Sequence, residues 1–129
     1  MADIIGGIDL RGLRGATTVE ENTAEAIWAA TQEVVREMLL QNDIDTEDIG
    51  AAIFSATEDI TAAFPASGAR KLPGFDMVPL FDTRQIAVEG AMERCIRVLL
   101  LVDTPLKQRD IKHVFLGRAA NLRPDLKDK

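Results

Sequence analysis

The segment CIRVLLLV, residues 95–102, constrains the fold most strongly because it is apolar on both of its faces. Seven of its eight residues are apolar or carry a thiol. A β-strand alternates its side chains between two faces, so this composition predicts a central strand that is covered on both sides. Arg97 interrupts the run with a permanent positive charge. Burying a guanidinium is costly unless an anion meets it, so Arg97 predicts an anionic partner.

The rest of the chain supplies little helix to cover that strand. The clearest helix follows Asn22, the predicted N-cap, with Glu25 three residues on, and its apolar residues recur at helical spacing to about Gln41. A short helix, opened by a proline, is predicted over residues 65–72. One long helix covers only one face of a sheet, so we expect the other face to pack against a second copy of the same sheet.

Other segments alternate or concentrate apolar residues as β-strands do. Pro79 places one of them at a sheet edge or a bulge, because proline lacks the N–H that a central strand needs. These strands, residues 6–16, 51–57, 76–81 and 111–116, join the central one in a mixed sheet. We therefore predict an α+β fold, with one long helix and short helices, in a single domain over residues 1–129.

Composition excludes several classes of function. The 129 residues carry a net charge of −6, which argues against a nucleic-acid or anionic membrane surface. One cysteine excludes an intrachain disulfide, and one cysteine with one histidine argues against a metal site. No segment has the length and apolarity of a membrane span or a signal peptide. We expect a cytoplasmic protein.

The sequence lacks a glycine-rich phosphate loop, a Ser–His–Asp order and paired metal ligands. Cys95 is interpreted as a small core residue, and His113 as a packed or solvent-facing one, rather than as catalytic residues. What remains unusual is the placement of four arginines, Arg14, Arg70, Arg97 and Arg123. Convergent guanidiniums without a nucleophile predict a pocket for a small polycarboxylate, handled without covalent chemistry.

Four blocks in order, RGLRGATTVEENTAEAI, SATEDITAAFPASGAR, CIRVLLLVDT and IKHVFLGRAANLRPDL, resemble the AroH-type monofunctional chorismate mutases. The resemblance covers residues 8–126. It implies a homotrimer whose sheets form a pseudo-α/β barrel, with active sites at the subunit interfaces. It also implies the rearrangement of chorismate to prephenate, in phenylalanine and tyrosine biosynthesis. This pericyclic step needs no cofactor, so none is expected.

The resemblance also assigns residue roles. It makes Arg97 the cation at the breaking ether bond and at one carboxylate, and Arg14 the grip on the other carboxylate. It places the pocket wall of the neighbouring subunit and the tail that folds over the site at Phe64, Ala66, Arg70, Leu122 and Arg123.

Four positions depart from the family pattern. Asp82 and Gln85 stand where the family has a cysteine and a glutamate that contact the ring hydroxyl of the substrate. Phe115 replaces a tyrosine, and Ser67 replaces a lysine at the pocket mouth. We interpret Asp82 and Gln85 as a functional exchange that still supplies one acid and one amide. The alternative is that Asp82 is a loop carboxylate and the site has lost its acid.

Two functions therefore remain open. One is a working chorismate mutase, favoured because both Arg14 and Arg97 are present. The other is a catalytically degenerate trimer that binds a small dicarboxylate metabolite, favoured by the changes at Gln85 and Phe115.

Overall fold

The computed structural model describes residues 9–121. Five strands and two α-helices occur in this part of the chain: β1 (Asp9–Thr18), α1 (Ala24–Asn42), β2 (Ile49–Ala56), α2 (Pro65–Arg70), β3 (Leu80–Arg84), β4 (Cys95–Thr104) and β5 (Val114–Phe115). Short 3-10 turns lie at Thr46–Asp48, Phe75–Met77, Gln108–Asp110 and Gly117–Asn121.

The strands form one mixed sheet in the order β3-β2-β4-β1-β5. β4 is antiparallel to both of its neighbours, whereas β2 with β3 and β1 with β5 run parallel. The apolar segment thus lies at the centre of the sheet, as its composition predicts. Pro79 comes directly before the edge strand β3, so its missing N–H breaks no ladder of a central strand. The α+β prediction is confirmed.

The main core lies between the sheet and the two helices. Val34, Val35 and Met38 of α1 pack there with Ala66 and Ala69 of α2. The sheet contributes alternate positions of β4 and its neighbours, listed here as Leu13, Ala52, Phe54, Val98, Leu100 and Val102. Because strand side chains alternate, all of these project from the same face of the sheet.

The opposite face, called the open face below, is not covered by an α-helix of residues 9–121. Arg97 of β4 is exposed there, and Leu99 and Leu101 are only half-buried. Leu10 and Phe81 occupy the same face at the ends of the sheet, and each exposes more than 60% of its surface (62% and 66%). The expectation that α1 covers one face only is confirmed, whereas the packing of that face against another copy stays a prediction.

Three local predictions differ from the structure. Thr23, not Asn22, caps α1, and its hydroxyl accepts the N–H of Ala26. Asn22 instead accepts the backbone N–H groups of residues 61 and 62, so its amide organises a loop. The strand predicted over 76–81 begins only at Leu80, because a 3-10 turn occupies Phe75–Met77. The strand predicted over 111–116 is reduced to Val114–Phe115, because only these two residues pair with β1 and the backbone of Lys112 bonds to the side chain of Asn42 instead.

No helix in the described part of the chain is both long and apolar enough to cross a membrane.

Candidate active site

Arg97 lies in the middle of the sheet between two small residues. Its register partners are Ala16 on β1 and Ser55 on β2. Directly opposed side chains come within about 5 Å, so bulky residues at these positions would crowd the guanidinium. The small neighbours leave room above the open face, and Arg97 is exposed.

Arg14 is the diagonal neighbour of Arg97 on the same face. It pairs with Leu99, two residues beyond Arg97 along β4. Diagonal neighbours on adjacent strands are roughly 7–8 Å apart. Both arginines line a cavity of about 300 Å³ together with Phe115 of β5. The other lining residues are Gly15, Ala16, Ile53, Ser55, Val98 and Leu99.

Neither arginine has a carboxylate partner within the described residues. The ion pairs of residues 9–121 involve Arg11, Arg94 and Arg118. Arg97 interacts with Cys95, two residues earlier in β4. Burial raises the pKa of the Cys95 thiol, and the charge and hydrogen bond of Arg97 oppose that rise. Two positive charges therefore meet in an otherwise apolar and small-residue cavity, which is suited to a dianion.

A second group of predicted site residues lines a different cavity. Phe64, Ser67 and Asp82 border this space of about 720 Å³ beside the N-terminal end of α2. Phe64 exposes 69% of its surface. Ala66 is buried and donates its backbone N–H to Oδ1 of Asp82 at 3.0 Å. Asp82 therefore fastens the start of α2 to the edge strand β3.

The carboxyl of Asp82 is half-buried, and burial raises its pKa. The hydrogen bond from Ala66 and the charge of Arg70 act in the opposite direction but do not cancel that rise. Arg70 itself is exposed at the end of α2. One carboxylate oxygen of Asp82, Oδ1, thus accepts a hydrogen bond from the backbone of α2.

Gln85 lies in neither group. It follows β3 and donates its backbone N–H to the carbonyl of Ala56 at 2.9 Å. It borders a third cavity of about 340 Å³ formed with residues 57–59, 86–89 and 91–93. Its side-chain oxygen is buried without a hydrogen-bond partner in the described part of the chain. The two members of the predicted exchange, Asp82 and Gln85, therefore border different cavities.

The alternation of side chains between the two faces of the sheet explains why Asp82 and Arg97 do not meet within one chain. Asp82 pairs with Phe54, which faces the helices, whereas Arg97 pairs with Ser55 on the open face. Within one copy of residues 9–121, Asp82 and Arg97 therefore lie on opposite faces of the sheet. Leu122 and Arg123 lie outside the described residues.

Several residues around the arginines carried no sequence signal. Ser55 and Ala16 reach Arg97 only through the register of three strands, which no local pattern reveals. Alternation along β1 places Ala16 on the same face as Arg14, but only the register with β4 brings Ala16 opposite Arg97. His113 was interpreted as packed or solvent-facing rather than catalytic, and no sequence signal revealed that its Nδ1 accepts the backbone N–H of Arg14 at 3.0 Å.

Within residues 9–121, no three His, Cys, Asp or Glu side chains are grouped so that they could hold a metal ion. The polar groups of the arginine cavity are guanidiniums and a hydroxyl. Such a set binds carboxylates by charge and by paired hydrogen bonds.

Comparison with known proteins identifies the family of this chain. The family model for chorismate mutase type I matches residues 10–126. A chorismate mutase AroH of Thermus thermophilus is 49% identical over 118 residues, which cover 91% of this chain and 96% of the relative. The Bacillus subtilis protein of the same name is 40% identical over 117 residues, 91% and 92% of the two chains.

A solved structure of a chorismate mutase from Clostridium thermocellum superposes with a TM-score of 0.81. It is 44% identical and covers 84% of this chain and 96% of its own. This chain therefore belongs to the type I chorismate mutase family.

Proposed function

We propose that this protein is a chorismate mutase that converts chorismate to prephenate. The observation that carries the proposal is the pair Arg14 and Arg97, which lack carboxylate partners among residues 9–121 and line one cavity on the open face. Chorismate is a dianion, and two fixed guanidiniums match its two carboxylates. Membership of the family supplies the reaction.

The reaction leaves two tasks to the protein. In the rearrangement one C–O bond of the substrate breaks while one C–C bond forms, so no atom enters or leaves. First, the flexible substrate must be held with the reacting carbons close together, and clamping both carboxylates achieves this. Second, negative charge grows on the ether oxygen, and the Arg97 guanidinium beside it stabilises the transition state more than the ground state.

The complete site, in this proposal, combines two copies of the chain in a homotrimer. Arg14, Arg97 and Phe115 come from one copy, and the wall that contains Phe64 and Arg70 comes from the next. Two findings support it: the two groups border separate cavities within one chain, and the open face exposes apolar side chains. An exposed apolar face is typical of an interface. Ala66, Ser67, Leu122 and Arg123 are assigned to the same composite site.

We further propose that Asp82 replaces the family glutamate, with Gln85 as the accompanying amide. Asp82→Asn keeps an acceptor for the N–H of Ala66 but removes the charge, so it tests the charge alone. We expect Asp82→Asn and Asp82→Ala to lower kcat more than Gln85→Ala does. Asp76→Ala, which removes an exposed carboxylate six residues before Asp82 in the chain, is the control. Equally mild effects of the Asp82 and Gln85 substitutions would contradict the exchange.

The second candidate is a trimer that binds a dicarboxylate without turning it over. It is favoured by the position of Gln85, whose side-chain oxygen is buried away from the arginines. Phe115 adds no hydrogen-bonding group to the arginine cavity. Loss of those contacts weakens catalysis but keeps the two cations.

The experiment that decides between the two follows the loss of chorismate absorbance with purified protein. Wild-type conversion is expected, and Arg97→Ala should lower kcat by about a hundred- to a thousand-fold. Arg36→Ala removes an exposed arginine of α1 and should leave the rate unchanged. Binding of chorismate without conversion above the uncatalysed rate would refute the enzyme and support the binding protein.

A further inference from the structure

On the edge of β1 that faces away from β4, the backbone hydrogen bonds near Arg14 are made by side chains rather than by a neighbouring strand. β5 runs parallel to β1 and pairs only with Gly15 and Ala16, so it begins too late to pair with Gly12 and Arg14. Edge N–H and C=O groups need other partners where a ladder stops. Side chains of the segment that precedes β5 supply them.

Gln108 is the first of these partners. Its side-chain carbonyl accepts the N–H of Gly12 at 2.9 Å, and its amide donates to the carbonyl of Gly12 at 2.6 Å. A primary amide used in this way reproduces both hydrogen bonds that a strand residue would make. His113 is the second partner, and its Nδ1 accepts the N–H of Arg14 at 3.0 Å.

The segment that carries both side chains is itself held in place. Ile111 is buried in the core, and the side chain of Asn42 binds both the N–H and the C=O of Lys112, at 2.7 and 2.8 Å. Two residues beyond His113, Phe115 lines the arginine cavity. The segment therefore connects the end of α1 to the backbone of Arg14.

We infer that His113 is a positioning residue for Arg14. Its unprotonated Nδ1, together with the amide of Gln108, holds the β1 backbone so that the Arg14 guanidinium is already oriented in the cavity before substrate binds. Orientation before binding lowers the entropy that binding must remove. This inference rests on the proposed function, because it assigns a purpose to Arg14 in the binding of a dianion.

The kinetic test is a double-mutant cycle followed by chorismate absorbance. His113→Ala should raise KM about five- to ten-fold, the effect of losing one oriented hydrogen bond, with a smaller change in kcat. In an Arg14→Ala background the same substitution should raise KM no further. His113→Asn offers an acceptor oxygen near the position of Nδ1 and should restore KM to within about two-fold. Lys112→Ala, whose backbone bonds to Asn42 persist, is the matched control.

Gln108→Ala gives a second route if His113→Ala does not fold, and it should raise KM in the same direction. Equal rises caused by His113→Ala with and without Arg14 would overturn the inference, because that result means a general structural effect. So would failure of Asn to restore KM.

The ring nitrogens of His113 provide a readout that needs no substrate. His113 is the sole histidine of the chain, so its ¹⁵N signals are assigned without ambiguity. At neutral pH we expect Nδ1 to give the signal of an unprotonated acceptor nitrogen. A proton on Nδ1 would overturn the inference. A wild-type chain that converts no chorismate would instead refute the proposed function, and the two failures are therefore distinguishable.

Discussion

The proposal of a site shared between copies makes a quantitative prediction for mixtures of inactive variants. Arg97→Ala should lower kcat/KM about a hundred- to a thousand-fold, and Arg70→Ala about ten- to a hundred-fold if Arg70 contacts a substrate carboxylate. Within one chain, Arg97 lies on the open face whereas Arg70 lies on α2, at the opposite face. If each site takes its arginine pair from one copy and its wall from the next, a mixed trimer can contain sites that carry neither substitution.

In an equal mixture that has exchanged subunits at random, half of the arginine pairs and half of the walls are intact. A complete site needs both, so about a quarter of all sites should regain wild-type composition. That activity exceeds the average of the two variants severalfold. The assay is chorismate absorbance after joint unfolding and refolding, with exchange verified by native mass spectrometry.

The matched control is a mixture of Arg97→Ala with Arg14→Ala. Both arginines line the same cavity of one chain, so no exchange can produce an intact pair. Its activity should stay at the average of the two variants. The reasoning would be refuted if the Arg97→Ala and Arg70→Ala mixture also stayed at that average although mixed assemblies had formed.

Two further predictions concern stability. A methyl group at Gly68 of α2 would lie 2.9 Å from the Cα of Trp28, a backbone atom of α1 that cannot turn aside as a side chain can, so Gly68→Ala should destabilise the fold by about 1–3 kcal/mol, measured by urea unfolding. Gly50→Ala adds a methyl with ordinary contacts and should be milder; equal effects would contradict the packing argument. Burial raises the pKa of Asp59, but hydrogen bonds from a neighbouring hydroxyl and from the Arg94 N–H outweigh it and lower the pKa below 3.8. The resulting stabilisation exists above pH 3.8 and disappears as the pH falls through the lowered pKa, so wild type should lose more unfolding free energy there than Asp59→Asn. Parallel curves for the two proteins would count against this.

Local patterns in the sequence were sufficient for much of the fold. The apolar composition of residues 95–102 predicted the central strand, and the helical spacing after residue 22 predicted α1. These predictions succeed because alternation and helical periodicity depend on near neighbours alone. The N-cap was misplaced by one residue, because Thr23 and Asn22 are both good caps and the loop beyond Asn22 decides between them.

The sequence by itself determined that a cation interrupts a central strand and that one long helix leaves one face of the sheet open. Only the tertiary structure decided which residues meet at Arg97 and Arg14. Ser55 lies 42 residues away in the chain, and His113 is 99 residues from Arg14. The register of the strands then placed Asp82 and Arg97 on opposite faces of the sheet, because a shift of one residue moves every side chain of a strand to the other face. Register follows from the packing of α1 and α2 against the whole sheet, and no short segment contains that information.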